Sequence, residues 1–183
     1  VAAMEIYIVN KDVLLSILDF CAQENRFHFH RDGLFEYLGR GGTMDVFLHT
    51  GYAVRVDPVA DYFAASMDML DPDARASLFP ADRPVYTKVR DDLPARYIDE
   101  CECSNSLIAN GCIIEGTVEN SVIGRGCQIK PGAVVKNSVV LAHTRVGENA
   151  HIENQVMDKW ARVIHGNEII AEEGHPGYIR RED

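Results

Sequence analysis

The sequence has no apolar run approaching the ~20 residues that cross a bilayer, and no basic segment leading into an apolar stretch opens it. A cytoplasmic location is the expectation that follows. Positive charge is also scarce: 18 Lys and Arg stand against 28 Asp and Glu, a formal net charge of −10. That balance argues against non-specific binding to nucleic acid or to an anionic membrane. Cysteine is sparse and odd in number (Cys21, Cys101, Cys103, Cys112, Cys127), and Cys101-Glu102-Cys103 lacks the two-residue gap of a zinc knuckle or a thioredoxin motif. The thiols therefore read as reduced, with no metal site. What is present is ordinary: 46% apolar and 25% charged residues over 183 positions, enough for one full domain or two small ones.

The first residues, Val1 to Val9, read as a β-strand with no preceding turn or initiator methionine, the pattern of a piece from a longer protein. Residues 1–75 read as mixed α/β. Asn10 or Asp12 caps a predicted helix through Val13, Leu14, Ile17, Leu18 and Cys21, and residues 31–38 suggest a second, short one ended by Gly41-Gly42. A strand pair is expected at 45–50 and 52–56, broken at Gly51, and Pro58 opens a third helix with Val59, Phe63 and Leu70 on one side. Residues 76–100, with Pro80, Pro84 and Pro94, read as an extended connector.

From residue 105 the helical period gives way to a repeat: Asn105-Ser-Leu-Ile, Asn120-Ser-Val-Ile, Asn137-Ser-Val-Val and Asn154-Gln-Val-Met. Single aliphatic residues return every five or six positions, at Val118, Ile123, Ile129, Val135, Val140, Val146, Ile152, Met157 and Val163. Such a step fits neither an α-helix nor a flat strand. Three steps make one turn of a triangular solenoid, a left-handed parallel β-helix of hexapeptide repeats over residues 101–168. Asparagine and glycine suit its corners, where φ is positive, and asparagines at matched positions can form a ladder between coils. Residues 169–183 are expected to cap the end as a polar tail.

Candidate chemistry rests on polar residues that the solenoid turns outward. Arg125, Lys130, Lys136 and Arg145, with Lys159 and Arg162, sit beside inward aliphatics, and two or three of them on one face would hold a phosphorylated effector by charge-assisted bonds. His143 and His151 lie in the repeats eight residues apart, too far round the prism to share a site without His165 or a second subunit. His28-Phe29-His30 has the alternation of a metal pair but no evident carboxylate partner.

The order of elements, together with Ala2-Ala3-Met4-Glu5-Ile6-Tyr7-Ile8-Val9-Asn10, Gly51-Tyr52, Asp61-Tyr62-Phe63, Pro84-Val85-Tyr86-Thr87 and the repeat from Ile113 to Gly126, resembles the bacterial ADP-glucose pyrophosphorylases (glucose-1-phosphate adenylyltransferases). The resemblance implies that the first 75 residues are the C-terminal part of a Rossmann-like nucleotidyltransferase domain whose glycine-rich loop lies upstream. It implies the reaction of ATP with glucose 1-phosphate to give ADP-glucose and pyrophosphate, with magnesium on the phosphates, in glycogen synthesis.

Two positions depart from the family pattern. Ala3 stands where the family has a serine associated with the sugar phosphate, and Arg55 where it has a metal-binding aspartate. A guanidinium repels a divalent cation that a carboxylate would hold. No catalytic residue and no metal ligand is therefore expected in this chain, and no cofactor of its own. These departures resemble the GlgD-type branch, whose members accompany a catalytic homologue. The implied role is a regulatory or weakly active subunit in a heterotetramer, responsive to a phosphorylated effector. An active sugar-1-phosphate nucleotidyltransferase and a hexapeptide-repeat acyltransferase are the other readings the residues leave open.

Overall fold

The computed structural model describes residues 3–181, so Val1 and Ala2 of the expected first strand lie outside the described residues. The chain divides into two units, Val1–Thr50 and Gly51–Asp183.

In the first unit, α1 (Lys11–Gln23) begins where Asn10 Oδ1 accepts the backbone N–H of Asp12 at 3.0 Å, the cap the sequence indicates. A π-helical turn (Phe29–Leu34) then runs into α2 (Phe35–Gly39). Ile17, Cys21 and Leu34 form a small buried centre, with Tyr7, Val13, Phe20, Phe29 and Tyr37 packed around it. Gly33 permits the approach, since a Cβ there would lie 2.6 Å from Ile17 Cγ2.

The strands expected in the α/β half are not formed. Residues 3–9, 45–50 and 52–56 are not strands. A strand needs a neighbour to take its N–H and C=O groups, and among the described residues none pairs with them. Ile6, Ile8, Val46, Phe47 and Val54 are exposed along these segments. What the unit shows is a cluster of short helices, and the Rossmann-like remnant is not seen in it.

The second unit opens with α3 (Val59–Asp68) and α4 (Pro72–Leu78). Pro58 is the N-cap of α3 rather than a first-turn residue. The reading of 76–100 as wholly extended is corrected at its start, because α4 reaches Leu78. Its signal stood in the sequence as Asp71-Pro72: Asp71 Oδ1 accepts from Asp73 N–H at 3.0 Å and Pro72 occupies the first turn.

Among the described residues fifteen short strands follow, in three parallel five-stranded sheets. The first face holds β1 (Arg96–Tyr97), β4 (Ile113–Ile114), β7 (Gln128–Ile129), β10 (Arg145–Val146) and β13 (Arg162–Val163). The second holds β2 (Glu102–Ser104), β5 (Thr117–Glu119), β8 (Val134–Lys136), β11 (His151–Glu153) and β14 (Glu168–Ile170). The third holds β3 (Leu107–Ile108), β6 (Val122–Ile123), β9 (Val139–Val140), β12 (Gln155–Met157) and β15 (Gly177–Ile179). Successive strands thus step from face to face, and every third one pairs with its equivalent in the next coil: a parallel β-helix. It starts at Arg96 and continues to Ile179, so residues 169–179, read as a tail, supply strand residues of the last coil, with Ile169 opposite Ile152 and Ile179 opposite Met157.

The inward column is the one the spacing indicates. Val118, Ile123, Ile129, Val135, Val140, Val146, Ile152, Met157 and Val163 are all buried, each opposite its counterpart a coil away. Full burial of such a side chain contributes about 1.5–3 kcal/mol relative to exposure. On the third face the outward Val139 and Val156 are buried as well, and α3 lies against β9.

Two polar ladders bind the coils at one corner. Asn105 Nδ2 donates to Asn120 Oδ1 at 2.7 Å, Asn120 to Asn137 at 3.0 Å and Asn137 to Asn154, while Asn154 donates to the Ala171 carbonyl at 2.8 Å. All four asparagines have positive φ, between 41° and 55°. Beside them runs a serine ladder. The Ser121 and Ser138 hydroxyls each accept a backbone N–H from the next coil at 3.0–3.1 Å and donate to the carbonyl two residues back at 2.7 Å.

Asn137 both bridges two coils and holds a left-handed backbone. Asn137→Ala is expected to cost about 2–4 kcal/mol in denaturant unfolding, and Asn137→Gly, which loses the bridge but keeps the conformation without strain, about 1–2 kcal/mol. Equal losses for the two variants would show that backbone strain contributes nothing there.

Candidate functional site

The four cationic candidates separate once their surroundings are known. Lys130 Nζ lies 2.8 Å from Glu115 Oε2, Lys136 Nζ 3.9 Å from Glu119 Oε2, and Arg125 Nη1 3.8 Å from Asp92 Oδ2. Each faces a carboxylate, and exposed pairs of this kind contribute only about 0–1 kcal/mol. The solenoid register makes the first two pairs: Lys136 stands directly opposite Glu119 across β5 and β8.

Arg145 is different. On the first face it stands between Gln128 of β7 and Arg162 of β13, one strand away on either side. Strand spacing puts the two arginine backbones roughly 4.8 Å apart, and both side chains turn outward because Val146 and Val163 beside them turn in. Among the described residues neither guanidinium has a carboxylate or hydrogen-bond partner.

A groove of about 210 Å³ opens beside them, lined by Gly126, Gln128, His143, Arg145, Trp160 and Arg162. Its wall is an aromatic pair: the rings of His143 and Trp160 stack with centroids 4.2 Å apart and planes 20° from parallel. The two residues occupy the corner just before β10 and β13, which Gly126 occupies before β7. All three have positive φ, 66° for Gly126, 63° for His143 and 66° for Trp160. That conformation suits glycine and costs a bulky residue on the order of 1–3 kcal/mol. A Cβ on Gly126 would lie 2.6 Å from His143 Nδ1, so the glycine leaves room for the imidazole.

Trp160 did not figure among the candidates read from sequence. Its signal was positional: it precedes Arg162 as His143 precedes Arg145 and Gly126 precedes Gln128.

The other candidates are dispersed. His151 lies on the second face, its Nε2 3.5 Å from Glu153 Oε2 and its Nδ1 3.8 Å from Glu168 Oε1, away from the corner that carries His143. The His28 backbone N–H donates to Asp32 Oδ2 at 3.2 Å, and His30 stacks on Phe35. Among the described residues no group of three or more His, Cys, Asp or Glu side chains is placed to hold a metal ion. Ala3 and Arg55 lie on exposed, non-strand segments of the two separate units. Cys112 and Cys127 are buried in register at the corner beside the groove, their thiols donating to the Gly124 and Leu141 carbonyls at 3.1 and 3.2 Å. The hydrogen bond with Cys112 and burial together push the Cys127 thiol well above the ordinary range.

The solenoid is matched by a family profile described as "GlmU-like, C-terminal hexapeptide" over residues 93–175. The glucose-1-phosphate adenylyltransferase of Bacillus thuringiensis (strain Al Hakam) is 33% identical over 176 residues, 94% of this chain and 44% of that protein. The glycogen biosynthesis protein GlgD of Bacillus subtilis (strain 168) is 32% identical over 133 residues, 73% of this chain and 39% of that protein. That of Geobacillus stearothermophilus is 52% identical over 71 residues, 39% and 21% of the two chains. Over most of its length the chain is homologous to glucose-1-phosphate adenylyltransferases and to GlgD proteins. It spans less than half the length of these relatives. Among its described residues no helix is long and apolar enough to cross a membrane.

In this homologue of the adenylyltransferases, the Arg145 and Arg162 pair sets like charges side by side on adjacent strands, which destabilises a sheet by some tenths of a kcal/mol. Arg162→Gln is therefore expected to raise stability at low ionic strength by about 0.2–1 kcal/mol, an advantage that fades as salt shortens the screening length. Thermal unfolding at two salt concentrations measures it, and an unchanged or lower midpoint at low salt would contradict it.

Proposed function

We propose that this chain is part of a regulatory or weakly active subunit of ADP-glucose pyrophosphorylase, acting in glycogen biosynthesis beside a catalytic homologue in a heterotetramer. The observation that carries the proposal is Arg55, in the position where the family pattern has a metal-binding aspartate. Magnesium takes oxygen ligands, and a guanidinium offers only donors and a positive charge. The residues present do not fit the cation, so no catalytic step is routed through it here. Ala3, without the hydroxyl expected to meet the sugar phosphate, points the same way, as do the two relatives named GlgD.

In this reading the β-helix serves assembly and effector response. Its rigid stack of coils sets outward side chains at fixed spacings, which suits a surface that must meet another subunit or a small anion. ATP and magnesium would then be handled by the partner's own site.

A second reading, an active sugar-1-phosphate nucleotidyltransferase, is favoured by the adenylyltransferase relative that matches 94% of this chain. ADP-glucose formation separates the two. The whole polypeptide carrying this chain is assayed alone, then mixed with the catalytic homologue, with and without phosphorylated effectors. Loss of cation binding removes several kcal/mol of transition-state stabilisation, so turnover alone is expected on the order of 10²-fold or more below that of the homologue. The mixture is expected to differ from the homologue in turnover or effector response. Turnover alone at the homologue's level would establish the active enzyme instead.

A further inference from the structure

We propose that Cys112 is a site of reversible oxidation by a hydroperoxide, with Cys127 as the resolving thiol that closes a disulfide between two consecutive coils. The inference concerns the solenoid itself and stands apart from the subunit role proposed above.

Register carries the inference. Cys112 and Cys127 immediately precede β4 and β7 and stand side by side, since the backbone N–H of Ile113 donates to the Cys127 carbonyl at 2.9 Å. Strand spacing sets their Cα atoms ~4.8 Å apart, inside the roughly 4.4–6.8 Å that a disulfide spans. Both side chains turn the same way, each thiol donating to a corner carbonyl of the next coil. Thr144 continues the column with the same bond, its Oγ1 donating to the Asp158 carbonyl at 2.9 Å, and Ala161 follows it. A hydroxyl thus serves this column as a structural donor, and the fold alone does not call for sulfur in two successive coils.

The surroundings divide the labour between the two thiols. The Cys127 thiol, then the backbone N–H groups of Cys127 and Gly126, hold the Cys112 thiol below the ordinary range against the opposing effect of burial. Cys112 is therefore the nucleophile, and Cys127 keeps its proton. The Cys112 thiolate attacks one oxygen of hydrogen peroxide; an S–O bond forms, the O–O bond breaks, and the departing hydroxide takes a proton to leave as water. The Cys127 sulfur then attacks the Cys112 sulfenic acid; the S–S bond forms, the S–O bond breaks, and the leaving hydroxide carries off the Cys127 proton as a second water. Two thiols lose two hydrogens and two electrons, and the peroxide is reduced.

Neither cysteine has exposed surface, so the oxidant enters through a local opening, and the cover over Cys112 is thin. The residue in register above it is Ala95, only partly buried, followed by the two-residue β1 at the edge of its sheet. Leu93, just before, is exposed. Backbone hydrogen bonds from Gly111 to Leu93 at 2.6 Å, from Arg96 to Cys112 at 2.8 Å and from Ile98 to Ile114 at 2.9 Å hold this segment down. Short edge segments of this kind open at a lower free energy than the core they cover.

The chain is treated with hydrogen peroxide at micromolar to millimolar concentration under native conditions, remaining thiols are blocked with iodoacetamide, and peptides are mapped by mass spectrometry. A disulfide between Cys112 and Cys127, reversed by a dithiol, is expected in the parent and equally in a variant carrying Cys101→Ser and Cys103→Ser. Cys112 is expected to react roughly tenfold or more faster than Cys21, which is buried without a neighbouring thiol. Cys127→Ser keeps a hydroxyl for the Leu141 carbonyl, and circular dichroism verifies that it folds. In that variant oxidation is expected to stop at the sulfenic acid, trapped on Cys112 by dimedone.

Cys112 that reacts no faster than Cys21 would overturn the proposal, since both would then be inert core thiols. So would a disulfide between Cys101 and Cys103 in place of the expected one, or Cys127→Ser without dimedone label on Cys112. None of these results bears on turnover of the mixed subunits, so the two readings fail separately.

Discussion

Coil-to-coil register is the constraint on which the solenoid depends. Each strand is two or three residues long, far too short to persist alone, and it exists because its backbone pairs with the equivalent strand one coil away. That pairing puts like above like: valine on valine at Val118 and Val135, isoleucine above valine at Ile129 and Val146. The same register that packs the core also lines up the asparagines and serines at the corner. A shift by one residue would turn the aliphatics outward and unmake both ladders together.

Register also sorts the outward charges into structural and available ones. On the second face it sets Lys136 against Glu119, and near the first-face corner it brings Lys130 to Glu115. On the first face it sets Arg145 against Arg162 and seats His143 against Trp160. A uniform scaffold thus becomes locally distinctive wherever a repeat departs from its neighbours. The departures lie in consecutive coils, so their side chains fall into one groove.

The repeat half was legible residue by residue, because inward positions in a solenoid recur at a short, regular step. The nine aliphatics singled out from spacing are all buried, and the asparagine ladder forms where it was expected. The serine ladder was visible as a repeated letter but not as an interaction, since a hydroxyl's partners depend on where the next coil passes. The first half was legible only in its helices. Asn10 and the spacing of Ile17 and Cys21 found α1, a local element with local hydrogen bonds. The strands read into residues 3–9, 45–50 and 52–56 failed because strand formation is non-local: pattern proposes it, but a neighbouring strand decides it.

By itself, the sequence determined the solenoid, its inward column, the left-handed corners and the likeness to the adenylyltransferases, since all of these are carried by short-range periodicity or by matched stretches. Only the tertiary structure decided which cations are neutralised. Lys130, Lys136 and Arg125 look no different in sequence from Arg145, yet three meet carboxylates and the fourth meets another arginine. The physical reason is that electrostatic partners in a β-helix are set about seventeen residues apart, by coil lengths that vary between fifteen and seventeen. A difference of two residues changes which side chain stands opposite which, and that choice exists only once the coils are stacked.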